Sequence, residues 1–243
     1  MSDVTSLSGK RILVTGGTTG IGRATVALLA EQGARIVTFG RHQAELDDAL
    51  AHGKEKGGEV LGLTADVATA EGVAAVFAFV DETLDGLDIL VNNAGIAVEP
   101  VQKASDPAWR YGVETDFTGY LACAREALER IKGPGHIVFV GSVAAESKSA
   151  GHSTYAAIKA GIQAYAETLR KEVAKQNIRV TLVEPGLVGA DLQGTPVEEQ
   201  RKKIANEEAL YAEDLADTIV FALTRANRTD VVSLRVEPRL QIA

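Results

Sequence analysis

The chain has 243 residues, 46% of them hydrophobic, with a formal net charge of −8. A chain of this length buries a full core without covalent staples, and its acidic balance argues against nucleic acid or an anionic membrane surface as a main partner. A single cysteine, Cys123, excludes an intrachain disulfide, and no apolar run reaches bilayer length.

The opening residues Met1-Ser2-Asp3-Val4-Thr5-Ser6 lack the basic and apolar blocks of a signal peptide, so a soluble, cytoplasmic protein is expected. The first β-rich run, 11–15, leads into Thr15-Gly16-Gly17-Thr18-Thr19-Gly20-Ile21-Gly22 and an amphipathic helix over 21–32 that should stop at Gly33. Gly16 suits a tight turn, Gly20 a backbone approach to phosphate, and Gly22 close packing of helix on sheet. The helix start then offers free amides to a pyrophosphate. A second strand, 35–39, ends in Gly40-Arg41-His42 without the acid that usually takes a ribose 2′-hydroxyl. Arg41 therefore favours NADP over NAD; its alternative is an exposed arginine at a helix start. After the third strand, 59–63, Asp66-Val67 can set a carboxylate and an amide against an adenine edge, or simply form the loop before a helix starting at Thr69.

The fourth strand, 87–91, precedes Asn92-Asn93-Ala94-Gly95, and Asp106-Pro107 marks the next helix start, where Trp109 and Tyr111 read as core or subunit packing. Cys123, in the apolar stretch Leu121-Ala122-Cys123-Ala124, reads as a core thiol. A fifth strand, 136–140, ends near Ser142. Tyr155 and Lys159 follow at i and i+4 on a segment free of helix breakers, so phenol and ammonium share one face. The sixth strand, 178–183, opens onto an irregular insert over 184–206, within which Glu198–Lys202 and Glu199–Lys203 form i,i+4 pairs on a solvated helix. A seventh strand, 231–236, closes the pattern. Repeated βα units imply one α/β domain over 1–243, a doubly wound Rossmann fold with a mostly parallel, about seven-stranded sheet flanked by helices. The four histidines are scattered without ligand partners, so no metal site is expected. His152, with Glu146 and Lys148, reads as a solvated loop or a polar pocket rim.

These motifs resemble the short-chain dehydrogenase/reductase family along nearly the whole chain: Thr15–Gly22 for the glycine loop, Asn92-Asn93-Ala94-Gly95, Ser142, Tyr155-x-x-x-Lys159 and Pro185-Gly186. The resemblance implies that Thr18, Thr19, Gly20 and Ile21 touch the dinucleotide. It also implies that Asn93, Ala94 and Gly95 line its ribose, that Val188 faces the nicotinamide through its backbone, and that Lys159 binds the nicotinamide ribose. It further implies a homodimer or homotetramer. Two departures stand out. Asp116, in Asp116-Phe117-Thr118-Gly119, replaces an asparagine that helps the family hold a water leading to the lysine, and Ala190 replaces a common threonine. The C-terminal 231–239 segment lacks the family's usual glycines and is similar to the ending of a subgroup of clavulanic acid and hydroxy-amino-acid dehydrogenases.

The chemistry expected from these residues is hydride transfer between a nicotinamide and a small carbonyl or secondary alcohol. A developing alkoxide needs a proton donor. Tyr155 fills that role, Lys159 supplies a cation that favours the phenolate, and Ser142 hydrogen-bonds the same oxygen. Asp116 is expected to keep the proton relay while altering its pH dependence. The competing reading is a non-catalytic NADP(H)-binding sensor or scaffold of the same fold.

Overall fold

The computed structural model describes residues 4–189 and 196–240. Seven strands form one all-parallel sheet in the order β3-β2-β1-β4-β5-β6-β7. They are β1 (Arg11–Val14), β2 (Arg35–Gly40), β3 (Glu59–Thr64), β4 (Ile89–Asn92), β5 (Gly135–Val140), β6 (Ile178–Pro185) and β7 (Ser233–Val236). Each expected strand is present, with ends moved by a residue or two. β6 runs on through Glu184-Pro185 because these residues pair with Arg235 and Val236 of β7.

Strand side chains alternate between two cores. Leu13, Val37, Phe39, Leu90, Ile137 and Phe139 face one layer; Ile12, Val14, Ile36, Val91, Val138 and Val140 face the other. Burial on both faces explains why the strands read as continuous apolar runs. The first layer is covered by α3 (Ala70–Leu84), α5 (Gly119–Arg130) and α7 (Ser153–Val173), the second by α1 (Gly20–Glu31), α2 (Gln43–Glu55) and α9 (Ala212–Leu223). Val73, Val76, Phe77 and Val80 show the helical spacing directly: all four are buried on one side of α3. That helix begins where Thr69 caps it, its hydroxyl accepting from Gly72 N at 3.0 Å.

The stretch after Asp106 is interrupted. α4 (Asp106–Val113), with Pro107 in its first turn, passes into one π turn over Glu114–Thr118 before α5 begins. Such turns carry an extra residue and recur at functional sites; this one carries Asp116. Among the described residues there are also two short helices, α6 (Ala144–Ser147) and α8 (Val197–Ala205), and a 3-10 turn over Ala174–Gln176. α8 lies in the expected insert, and its Lys203 pairs with Glu199 at 3.4 Å. Ala190 and most of the following loop lie outside the described residues. Cys123 is fully buried in the first core, where burial pushes its thiol up to about 12.

The chain order reverses between β1 and β4, since β2 and β3 lie to one side and β5 to β7 to the other. In open α/β sheets this switch point leaves a crevice at the carboxyl ends of the strands. Among the described residues no helix is long and apolar enough to cross a membrane.

Candidate active site

One groove runs along the carboxyl ends of the strands, and almost every residue singled out from sequence lines it. At one end lie Gly16, Thr18, Thr19, Gly20 and Ile21 of the glycine loop, with Arg41 and Asp66-Val67 beside them. Asn93, Ala94 and Gly95 form the middle. Asp116, Ser142, Tyr155, Lys159, Pro185-Gly186 and Val188 occupy the other end. Gly22 is the exception. It lies beneath the loop, where an added Cβ would run into the carbonyl of Gly16 and the side-chain amide of Asn93. Its smallness serves the loop itself more than the helix–sheet contact expected from sequence.

The loop is held from below by β4. Thr15 Oγ1 accepts from the amides of both Asn93 and Ala94 at 2.8 Å, and donates toward Asn92 Oδ1 at 3.3 Å. Asn93 Nδ2 donates to the carbonyls of Thr15 and Gly16, each at 3.1 Å. Thr38 Oγ1 takes the Gly17 amide at 3.1 Å. Asn93 thus acts through its side chain on the loop as well as lining the groove; Thr15, read from sequence only as the first residue of the loop, and Thr38, not singled out there, are supporting residues. Gly16 has φ +63° and faces Ala94 so closely that a Cβ would sit 2.8 Å from its Cα. At the start of α1, Thr19 makes no side-chain cap and the first turn holds no acid. Free amides and the positive helix end are left facing the groove, which fits an anion.

At the glycine-loop end, Arg41 is exposed and donates from Nη1 to the Tyr111 hydroxyl at 3.0 Å; that hydroxyl donates to Asp66 Oδ2 at 2.7 Å. Asp66 Oδ1 meanwhile accepts from Ala68 N at 3.0 Å. Asp66 is therefore both the loop residue and the groove-lining acid. Tyr111, read from sequence as core or subunit packing, is a hydrogen-bonding bridge, because α4 brings it to the loops after β2 and β3.

At the other end, Lys159 is 5% exposed. Its Nζ donates to the Val140 carbonyl at 3.2 Å and lies 5.3 Å from the ring centre of Tyr120 and 5.6 Å from that of Tyr155. Tyr120, fully buried, donates to the same Val140 carbonyl at 3.1 Å. Two donors on one carbonyl fix where the ammonium sits. Burial by itself would depress Lys159; Tyr120, Tyr155 and Asp116 oppose it and hold the lysine above its ordinary value. Burial likewise raises Tyr120. Ser142 Oγ accepts from Ala144 N at 3.2 Å, which leaves its own proton free to point at a ligand oxygen.

Asp116 is 1% exposed. Its Oδ1 accepts from Ile96 N at 2.8 Å, while Oδ2 is buried without a hydrogen-bond partner. Burial pushes the carboxyl up to about 6, against the opposing pull of Lys159, the Ile96 amide and Arg41. His152, Glu146 and Lys148 are exposed, with Glu146 paired to Arg235 at 2.8 Å. Among the described residues no cluster of histidine, cysteine or acidic groups has the arrangement of a metal site.

The family model described as short chain dehydrogenase matches residues 10–201. The chain is 38% identical over 194 residues to a 3-oxoacyl-[acyl-carrier-protein] reductase from Chlamydia pneumoniae, covering 78% of this chain and 77% of that one. Among solved structures it resembles L-sorbose reductase from Gluconobacter frateurii complexed with NADPH and L-sorbose, at 30% identity and TM-score 0.87, with both chains fully covered. It also resembles a short chain dehydrogenase from Burkholderia cenocepacia in complex with NADP, at 28% identity and TM-score 0.86, covering 96% of this chain and 98% of that one.

Proposed function

The chain belongs to the short-chain dehydrogenase family, and on that premise we propose that it is an NADP(H)-preferring oxidoreductase. It interconverts a small carbonyl compound and its secondary alcohol, with Tyr155 as proton donor and acceptor. One observation carries the reading: a buried, anchored Lys159 lines the same groove as Ser142, Tyr155 and the glycine loop.

The residues present fit a dinucleotide. Uncapped amides at the start of α1 and the bare backbone of Gly16 and Gly20 suit a pyrophosphate, and Arg41 suits a 2′-phosphate. The NADP and NADPH found in the two solved relatives support the same choice. When bound, the nicotinamide exchanges hydride with the substrate carbon. Ser142 directs its free proton to the substrate oxygen and orients it. Tyr155 gives its phenolic proton to that oxygen during reduction and takes it back during oxidation. The Lys159 ammonium, 5.6 Å from the Tyr155 ring centre, stabilises the charge left on the phenolic oxygen. Its three protons allow one bond to Val140 and leave others for the groove. The Asp116 carboxyl sets a second, acid-titrating charge beside this lysine. Assembly as a homodimer or homotetramer belongs to the same reading.

The test is a panel of ketones, ketoses, β-keto esters and secondary alcohols, assayed with NADPH and NADH in parallel against the wild type and Tyr155→Phe. Turnover with NADPH that exceeds turnover with NADH and collapses in Tyr155→Phe supports the proposal. Tight NADPH binding without oxidation of it on any member would identify a binding protein instead.

A further inference from the structure

We propose that Tyr111 is a positioning residue for cofactor discrimination, bridging Arg41 to Asp66 at the adenosine end of the groove and keeping the guanidinium available for a 2′-phosphate. This rests on the NADP reading of that site.

Three separate segments meet here: the loop after β2, the loop after β3, and α4. Arg41 and Asp66 line the groove, whereas Tyr111 is not among its lining residues. The direction of the chain is set by chemistry. A guanidinium can only donate, so the phenolic oxygen accepts from Arg41 Nη1; an ionised carboxylate can only accept, so the single phenolic proton goes to Asp66 Oδ2. Asp66 cannot swing away easily, because its Oδ1 holds the Ala68 amide and its carbonyl takes Thr69. The Tyr111 ring also lies beside the cation, with Arg41 Cζ 5.9 Å from the ring centre.

The phenol is a neutral spacer between opposite charges. Among the described residues Arg41 has no carboxylate at ion-pair distance. Without the hydroxyl, the acceptor at the far end of the bridge is the Asp66 carboxylate. A direct pair would neutralise the cation and draw the two groove walls together where the adenosine belongs. With the hydroxyl in place, Arg41 keeps its charge and its other N–H groups, already ordered at the groove edge. A doubly charged phosphate is recognised best by a guanidinium with two donors to offer. Tyr111 therefore acts on the 2′-phosphate through Arg41 and does not act on the nicotinamide end.

The experiment is calorimetric titration of the full chain with NADPH, NADH and adenosine 2′,5′-bisphosphate, for the wild type, Tyr111→Phe, Arg41→Ala and the double variant at one salt concentration. Tyr111→Phe keeps the ring, so thermal melting should match the wild type. The expected result is NADPH and bisphosphate binding weakened by about 5–10-fold, NADH changed less than about twofold, and no further loss when Tyr111→Phe is added to Arg41→Ala. Steady-state rates should show KM for NADPH raised with kcat at saturation retained. Equal weakening of NADPH and NADH would show a merely structural phenol and overturn the proposal. Arg41-dependent discrimination that Tyr111→Phe leaves untouched would overturn the bridge alone. A wild type that binds NADH as well as NADPH, indifferent to Arg41→Ala, would remove the NADP reading and the bridge with it.

Discussion

Asp116→Asn replaces one oxygen of a buried carboxyl by an amide nitrogen and removes the only titrating acid beside Lys159 on the π turn. The folded carboxyl titrates at about 6, against 3.8 for an ordinary aspartate, with burial as the main cause. Between those two values the folded protein holds a proton that the unfolded chain has released. Wild-type stability from this group therefore rises as pH falls through the window, and is absent above about pH 6. At neutral pH, holding the ionised form costs about 3 kcal/mol relative to the unfolded chain. Asparagine carries no such dependence, and it can still accept from Ile96 N. Going from about pH 7.5 to about pH 4.5, wild type should gain about 2 kcal/mol over Asp116→Asn. Urea unfolding of both unliganded proteins across that range measures it. A difference that stays flat with pH, or that moves in favour of the variant on acidification, refutes the burial argument. The same titration should mark kcat/KM: the wild type shows an inflection near pH 6 that Asp116→Asn lacks, because Lys159 loses its carboxylate neighbour below that pH.

Three other substitutions test separate parts of the groove. Tyr155→Phe should lower kcat/KM by about 10²–10⁴-fold, the usual weight of a positioned general acid, while NADPH affinity by titration changes less than about twofold. Thr15→Val keeps the shape but strands the amides of Asn93 and Ala94; it should cost about 2–4 kcal/mol in chemical unfolding and weaken NADPH binding, and unchanged stability would show that the two amides find other partners. Gly16→Ala forces a side chain into a positive-φ turn against Ala94, so a loss of about 1–3 kcal/mol and at least about tenfold weaker NADPH binding are expected by melting and titration.

Local chemistry in the chain determined a good deal. Strand runs of Val, Ile and Leu announce a sheet covered on both faces, and Thr69 and Pro107 announce helix starts. The glycine loop, Ser142, and the Tyr155–Lys159 spacing mark residues that the structure gathers along one groove. All of these signals lie within about one turn or one strand of the residues that express them. Tertiary structure alone decided what depends on elements meeting. The neighbouring of β1 and β4 puts Thr15 under Asn93 and Ala94, 78 and 79 residues away. The placement of α4 brings Tyr111 to Asp66, 45 residues away, and gives an apparent packing aromatic a polar bridging role. Tyr120 reaches the Val140 carbonyl that anchors Lys159 only because α5 packs on β5. Nor does composition reveal that the π turn buries the Asp116 carboxyl. Burial and long-range hydrogen bonding are properties of surfaces brought together by sheet order, and a string of residues carries no local mark of which surfaces those are.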